Sequence, residues 1–319
     1  MVQRISEKDL LEMKEMDERL SITMNFYRIM GHAVYFGKPE MMPFVASRMV
    51  QLTMENGLCE HSNSGFVQFA AILCSSKLAK KSIERASQIG KAAMSCSRKR
   101  YNTASQLPNL YLDYYGLIGF HTEPLQTCAD MHRQGFDTGM SLGESGTAFF
   151  NAIRHIRTAV IAGDRLPTLL EKVDYYLALA NTYQNEIAKT HLSIFRGTIS
   201  ALIVKGVPTS LLPLAIDAPV NAKVLEVIYY HRAIQAYWQS HSERCQYYIK
   251  KFLEKSYNTG KLNSKFIVFI HGMNSFEMMK RQPSTRCRSI SKRAIKELKT
   301  AASLSSWNFS NKVRYGQLM

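Results

Sequence analysis

Chain breakers are scarce in this sequence: 9 prolines and 17 glycines in 319 residues, with no long polar tract of the kind that stays disordered. Long apolar runs are missing too. Phe266 to Ile270 is among the longest, far short of the ~20 residues of a membrane span. The N-terminus carries Glu7, Asp9, Glu12, Glu15, Asp17 and Glu18 and no apolar signal-peptide core, so neither a membrane span nor a leader is expected. The six cysteines (Cys59, Cys74, Cys96, Cys128, Cys245, Cys287) show no C-x-x-C and no paired spacing. That argues against a disulfide framework and predicts buried, reduced thiols in a cytoplasmic protein. Catalytic signatures are equally absent. There is no G-x-x-x-x-G-K-[ST], no H-R-D and no D-F-G, and the nine histidines form no H-E-x-x-H. Glu144-Ser145-Gly146 misses the G-x-S-x-G nucleophile elbow by one position. A non-enzyme without cofactor or metal is expected.

What the chain does have is helical periodicity. Apolar content of 46% is ample for a continuous core. After Asp164, the residues Leu166, Leu169, Leu170, Val173, Tyr176, Leu177, Ala180 and Tyr183 step by three and four, as one helical stripe does. Phe149, Ala152, Ile153, Ile156 and Val160 form the stripe before it. Ala162-Gly163-Asp164 reads as the turn between them, with Gly163 ending one helix and Asp164 capping the next. Pro167 falls in the new helix's first turn, where a missing N–H costs little. Lys265 to Ile270 could pass for a strand, but a lone strand has nothing to pair with, so a buried helix is expected.

A nine-residue pattern, S-G-x-x-x-F-x-A-I, occurs twice, 81 positions apart. Ser64, Gly65, Phe69, Ala71 and Ile72 recur as Ser145, Gly146, Phe150, Ala152 and Ile153. Each copy offers a serine suited to cap a helix and a glycine that lets a neighbour approach. The spacing equals two units of roughly 40 residues, the size of a helix-turn-helix repeat. Each such pair exposes an apolar flank that only the next pair can cover, so the expected fold is all-α, a right-handed α-solenoid of stacked helix pairs. Pro208, Pro213 and Pro219 place a bent connection at 208–220, between an N-terminal array, 1–207, and a C-terminal basic array, 221–319. The last residues, Tyr315 to Met319, offer no polar capping helix, which predicts a truncated array or a covering partner.

Charge divides the same way. Residues 1–220 hold 23 Lys+Arg against 20 Asp+Glu, whereas 221–319 hold 18 against 5, a net +13. The densest stretch contains Lys280, Arg281, Arg286, Arg288, Lys292, Arg293, Lys296 and Lys299, opposed only by Glu297. Cations at that density suit an acidic or phosphorylated protein segment, or a nucleic-acid backbone. No aromatic residue lies between Arg281 and Ser306 to stack on bases, which favours the protein partner. A solvated loop and helix face is the plainer reading of the same residues. Arg281 three before Ser284, and Arg286 three before Ser289, match the pattern of an Arg-directed serine kinase, and the segment from Arg281 to Ser289 reads as a loop around Pro283. Elsewhere the candidates are thin. Cys128 and His132, one helical turn apart, could supply half a zinc site but lack a second pair. Gly139, Gly143 and Gly146 lack the lysine and the preceding strand of a phosphate loop and read as a flexible inter-helix turn.

From about Tyr27 to Ile203 the chain resembles the tetratricopeptide-like helical region of very large signalling ATPases. Three stretches carry the likeness. One runs from Met42-Pro43 through Arg48 to Thr53 and Asn56-Gly57; the second is Ser64-Gly65-Phe66. The third is Tyr115-Gly116-Leu117-Ile118 with Glu123-Pro124-Leu125, Gly135, Thr138 and Gly139. The helix at Ala222–Trp238 and Trp307 resemble the second half of that region more loosely. Proteins of that family join a serine/threonine kinase-like domain, an AAA-type ATPase, this helical array, and GAF with histidine-kinase or cyclase output domains. None of those catalytic segments occurs in this chain. The resemblance therefore implies a non-catalytic scaffold for protein–protein interaction within a signalling assembly. The alternative is a nucleic-acid-binding helical repeat that uses the basic C-terminal third.

Overall fold

Each helix starts and stops where local chemistry dictates. The computed structural model describes residues 5–76, 79–101, 104–203, 222–255 and 262–303, and among these there is no strand, only an isolated bridge between Glu15 and Leu58. The elements are α1 (Glu7–Glu12), α2 (Glu18–Gly37), α3 (Met42–Asn56), α4 (Ser62–Ser76), α5 (Lys80–Tyr101), α6 (Leu107–Tyr114) and α7 (Phe120–Thr122). Then follow α8 (Leu125–Ser141), α9 (Ser145–Ala162), α10 (Leu166–Thr182), α11 (Glu186–Ile203), α12 (Ala222–Trp238), α13 (Ser242–Lys255), α14 (Leu262–Arg281) and α15 (Thr285–Ser303). The chain divides into two compact units: Met1–Glu123 with Asp130–Asn151, and Pro124–Ala129 with Ala152–Met319. This division falls within α8 and α9. The connection expected at 208–220, Trp307 and the final residues lie outside the described residues.

In the first unit, α1 opens with a reciprocal cap. Asp9 N donates to Ser6 Oγ at 3.3 Å while Ser6 N donates to Asp9 Oδ2 at 2.8 Å. Asp17 caps α2 by accepting from Arg19 N at 3.0 Å. Packing runs α2 on α3, α3 on α4, α4 on α5, with α4 also on α2 and α6; α1 is the long-range exception, lying on α5. Phe66, Tyr111, Tyr114, Met49 and Leu58 fill this core, each burial worth about 2 kcal/mol before entropy is counted. Between α6 and α7, Tyr115–Gly119 makes a wider π-helical turn, so one of the stretches that carries the resemblance is a kink inside a helix.

In the second unit, α10 packs on α11, α11 on α12, α12 on α13 and α14, α13 on α14, and α14 on α15. Tyr230, Ile234, Ile249, Phe252, Ile267 and Ile270 form a buried cluster there. The β-branched run at 265–270 is therefore helical, inside α14. Main contacts again join helices one or two steps apart in sequence.

One device turns four of the corners. At Gly143 (φ +75°), Gly163 (φ +88°), Gln184 (φ +51°) and Ser240 (φ +60°) the backbone is left-handed. The next N–H then reaches back five residues: Glu144 to Gly139 O at 2.8 Å, Asp164 to Ala159 O at 3.1 Å, Asn185 to Ala180 O at 2.9 Å, and His241 to Ala236 O at 2.8 Å. Gly163 ends α9 as expected. Asp164 does not cap α10, because the helix begins one residue later and Arg165 holds the cap position without a side-chain bond. In the stretch from Gly139 to Gly146 only 142–144 are non-helical, so the expected turn between helices is confined to three residues.

Between the two copies of the repeated pattern lie α5, the kinked helix made of α6 and α7, and α8, so the step from α4 to α9 covers four helices, or two pairs, in 81 residues. The copies do not sit alike. Ser64 is the third residue of α4 and Ser145 the first of α9, so neither is a capping residue. A Cβ on Gly65 would lie 2.7 Å from Met49 Cβ, the close approach expected of it, but one on Gly146 would meet nothing within 4 Å. Phe69 and Phe150 are both half-buried, whereas Ala71 and Ile72 are half-buried and Ala152 and Ile153 buried.

Candidate partner-binding surface

The basic end is built by a short corner and one amphipathic helix. Pro283 lacks an N–H and disfavours helical geometry at Gln282, so α14 stops at Arg281. Only 282–284 are non-helical, which makes the expected loop from Arg281 to Ser289 much shorter; its second half is the first turn of α15. Ser284 starts that turn. Cys287 N donates to its Oγ at 3.4 Å and Arg288 N to its carbonyl at 3.0 Å. Cys287, Ser291, Ala294, Leu298, Ala301 and Ala302 then recur at helical spacing and are buried, which ties α15 to α14.

All eight basic residues singled out from the sequence are exposed. Lys280 pairs with Glu277 at 2.8 Å and Arg293 with Glu297 at 2.8 Å. Arg281, Arg286, Arg288, Lys292, Lys296 and Lys299 make no ion pair among the described residues. The 100° step of an α-helix sorts those on α15 into two flanks: Arg288, Lys292, Lys296 and Lys299 on one, Arg286 and Arg293 on the other. Lys280 and Arg281 sit in the last turn of α14, where a cation complements the helix's negative end.

Each flank borders a groove. On the first, Phe276 and Met279 of α14 with Arg288, Ser291, Lys292 and Ile295 of α15 line a space of ≈ 480 Å³. It contains no carboxylate, and the buried Ser291 hydroxyl has no hydrogen-bond partner among the described residues. On the second, Gln246, Lys250, Leu253 and Glu254 of α13, His271 of α14, and Arg286 and Ile290 of α15 line ≈ 420 Å³. Burial, and then Arg293, push the His271 imidazole down to about 4, so it is neutral near pH 7. Glu254 on this wall makes the second groove less hospitable to an anion.

The other sequence candidates come apart. His132 is buried and its Nδ1 lies 3.2 Å from Asn151 Oδ1. No group of three metal-ligating side chains occurs among the described residues. The six cysteines are all buried and none is in a disulfide; burial lifts Cys74 and Cys245 to about 12 and Cys96 to about 11, so those thiols stay protonated. Sequence reasoning missed the apolar half of the first groove. Phe276, Met279 and Ile295 come from two helices, and only the pairing of α14 with α15 brings them beside Arg288. It also missed a buried polar group in the second unit. His231 lies edge-on to Phe195, ring centroids 4.4 Å apart, and burial followed by Arg157 pushes it to about 3. Burial, with Arg157 next, takes His191 to about 4.

Compared with protein-family models, with curated proteins and with solved structures, the chain shows no significant match to any of them. Among the described residues no helix is long and apolar enough to cross a membrane.

Proposed function

We propose that this chain is a non-catalytic helical-repeat scaffold whose α14–α15 face holds an acidic segment of a protein partner. One observation carries the reading: Arg288 and Lys292, exposed and without a carboxylate, flank a groove whose remaining wall is Phe276, Met279 and Ile295 with the buried Ser291. An amphipathic acidic segment matches that arrangement, with apolar anchors in the groove and carboxylates along the cationic flank. Support for a solenoid of stacked pairs comes from packing between helices one or two apart in sequence, the pattern of nearest-neighbour repeats. The resemblance to the helical array of signalling ATPases adds the context of a signalling assembly. Six cysteines outside any disulfide fit the reducing cytoplasm.

The net +13 of residues 221–319 favours a second reading, binding of a nucleic-acid backbone. Against it, α15 carries no aromatic residue to stack on bases. One titration separates the two. A fluorescent peptide with Leu at i, i+3, i+4 and i+7 and Glu between is titrated with the full chain at low and moderate salt, beside a single-stranded RNA. The scaffold reading expects peptide binding that survives moderate salt and weakens at least about tenfold on Arg288→Glu with Lys292→Glu. Tight RNA binding with a steep salt slope and no peptide binding would replace it with the nucleic-acid reading.

A further inference from the structure

The serines of two Arg-x-x-Ser patterns, at Arg281–Ser284 and Arg286–Ser289, line neither groove. The structure treats them differently. Ser289 is in the second turn of α15, its backbone committed to the helix. Ser284 is in the three-residue connection between α14 and α15, where Pro283 keeps the chain out of helical geometry and Arg281 is exposed just before it. A kinase that reads a non-helical segment finds three such residues, 282–284, in the first pattern and none in the second. Ser284 also stands four residues before Arg288, so the two share one face of the first turn, at the head of the flank that continues through Lys292. Arg288 has no ion pair among the described residues, and the first-turn N–H of Cys287 already points at Ser284 Oγ, 3.4 Å away.

We propose that Ser284 is a phosphorylation site for an Arg-directed serine kinase, and that its phosphate is held by Arg288, withdrawing that cation from the groove. In the transfer, Ser284 Oγ attacks the γ-phosphorus of ATP bound to the kinase. The new O–P bond forms as the P–O bond to ADP breaks, and the hydroxyl proton passes to the kinase's base. The product dianion faces first-turn N–H groups and a guanidinium, the arrangement that stabilises a phosphate at a helix start. Phosphorylation would then weaken the hold on an acidic segment, a consequence that rests on the function proposed above.

The test uses the full chain, a purified Arg-directed serine kinase and Mg-ATP, with the product mapped by mass spectrometry. Phosphate is expected at Ser284 and not at Ser289, with labelling slowed about tenfold by Arg281→Ala, the worth of one charge-assisted hydrogen bond. A ³¹P titration of the phosphorylated chain should place the second phosphate ionisation below the ~6 of free phosphoserine, and Arg288→Gln should return it. Labelling mainly at Ser289, no label at Ser284, or an ionisation near that of free phosphoserine and indifferent to Arg288 each overturns the proposal. None of these readouts involves the acidic peptide. Failure of the unmodified chain to bind peptide therefore sinks the function reading alone, whereas equal peptide affinity with and without the phosphate overturns only the coupling between them.

Discussion

Helices α5 and α15 are both long, basic and amphipathic, yet their cations have opposite fates. On α5, Lys91 pairs with Glu123 at 2.6 Å, Lys99 with Glu7 at 2.7 Å, and Arg85 donates to Ile5 O at 3.1 Å. Arg100 donates to the carbonyls of Leu10 and Leu11 at 3.2 Å and of Met13 at 2.5 Å, and also pairs with Glu15. One guanidinium thus satisfies the open end of α1 and fastens it to α5. On α15, Arg293 reaches Glu297 within the same helix, and Arg286, Arg288, Lys292, Lys296 and Lys299 meet no carboxylate among the described residues. The contrast shows that basicity of a helix does not define a binding face. What decides is whether neighbouring elements supply acceptors: α5 finds them on Glu123, 32 positions on, and on Ile5 to Glu15, 80 to 92 positions back, and α15 finds no such acceptor among the described residues.

The largest expected effect comes from exchanging the two fates. Arg100→Ala leaves three carbonyls and a carboxylate without their donor and should cost on the order of 3 kcal/mol in urea unfolding. Arg288→Ala should stay within about 0.5 kcal/mol, as surface changes do. Equal costs would break the comparison.

Acid should divide the molecule next. His231, His191 and His271 all belong to the second unit, and burial, with nearby arginines, holds them at about 3, 4 and 4. Unfolded imidazoles titrate near ~6.5. The unfolded chain therefore takes up protons first, and stability present above that value is lost as pH falls from about 6.5 toward the folded values. The slope from one such histidine approaches about 1.4 kcal/mol per pH unit. Both tryptophans, Trp238 and Trp307, lie after residue 221, so tryptophan fluorescence reports that end of the chain. Its urea midpoint should fall between pH 6.5 and 4.5, and His231→Phe should flatten the dependence. A midpoint constant across that range would contradict the burial of these imidazoles.

Two smaller predictions concern the repeat. Gly65→Ala forces a methyl against Met49 and should destabilise by about 1–3 kcal/mol. Gly146→Ala enters open space in a first helical turn and should stabilise by up to about 1 kcal/mol. The same sign at both positions would mean that the two copies pack alike after all. Ser240→Gly, relieving a left-handed serine, should add a few tenths to about 1 kcal/mol in thermal or urea unfolding.

Much of the helical layout was legible because its signals are local. The stripes of α9 and α10 and the glycine at position 163 follow from spacing and turn chemistry within about 20 residues, and the helical nature of 265–270 from the lack of a strand for it to pair with. The corners at Gln184 and Ser240 were not, since a left-handed residue other than glycine leaves no compositional mark. The cationic flank of α15 was visible as composition. Its apolar wall was not, because Phe276 and Met279 join Ile295 only through helix pairing. Nor did the near-balanced charge of residues 1–220 reveal that Arg85, Lys91, Lys99 and Arg100 of α5 are tied down. That requires knowing that Glu7 and Glu15 fold back on α5.

The most direct measurement is a paired one on the variant carrying Arg288→Glu and Lys292→Glu: its urea midpoint, and its affinity for the acidic Leu-bearing peptide, each beside the parent chain. The account predicts an unchanged midpoint with affinity reduced at least about tenfold. An unchanged affinity, or a midpoint that falls as it does for Arg100→Ala, would contradict the claim that α15 reserves its cations for a partner.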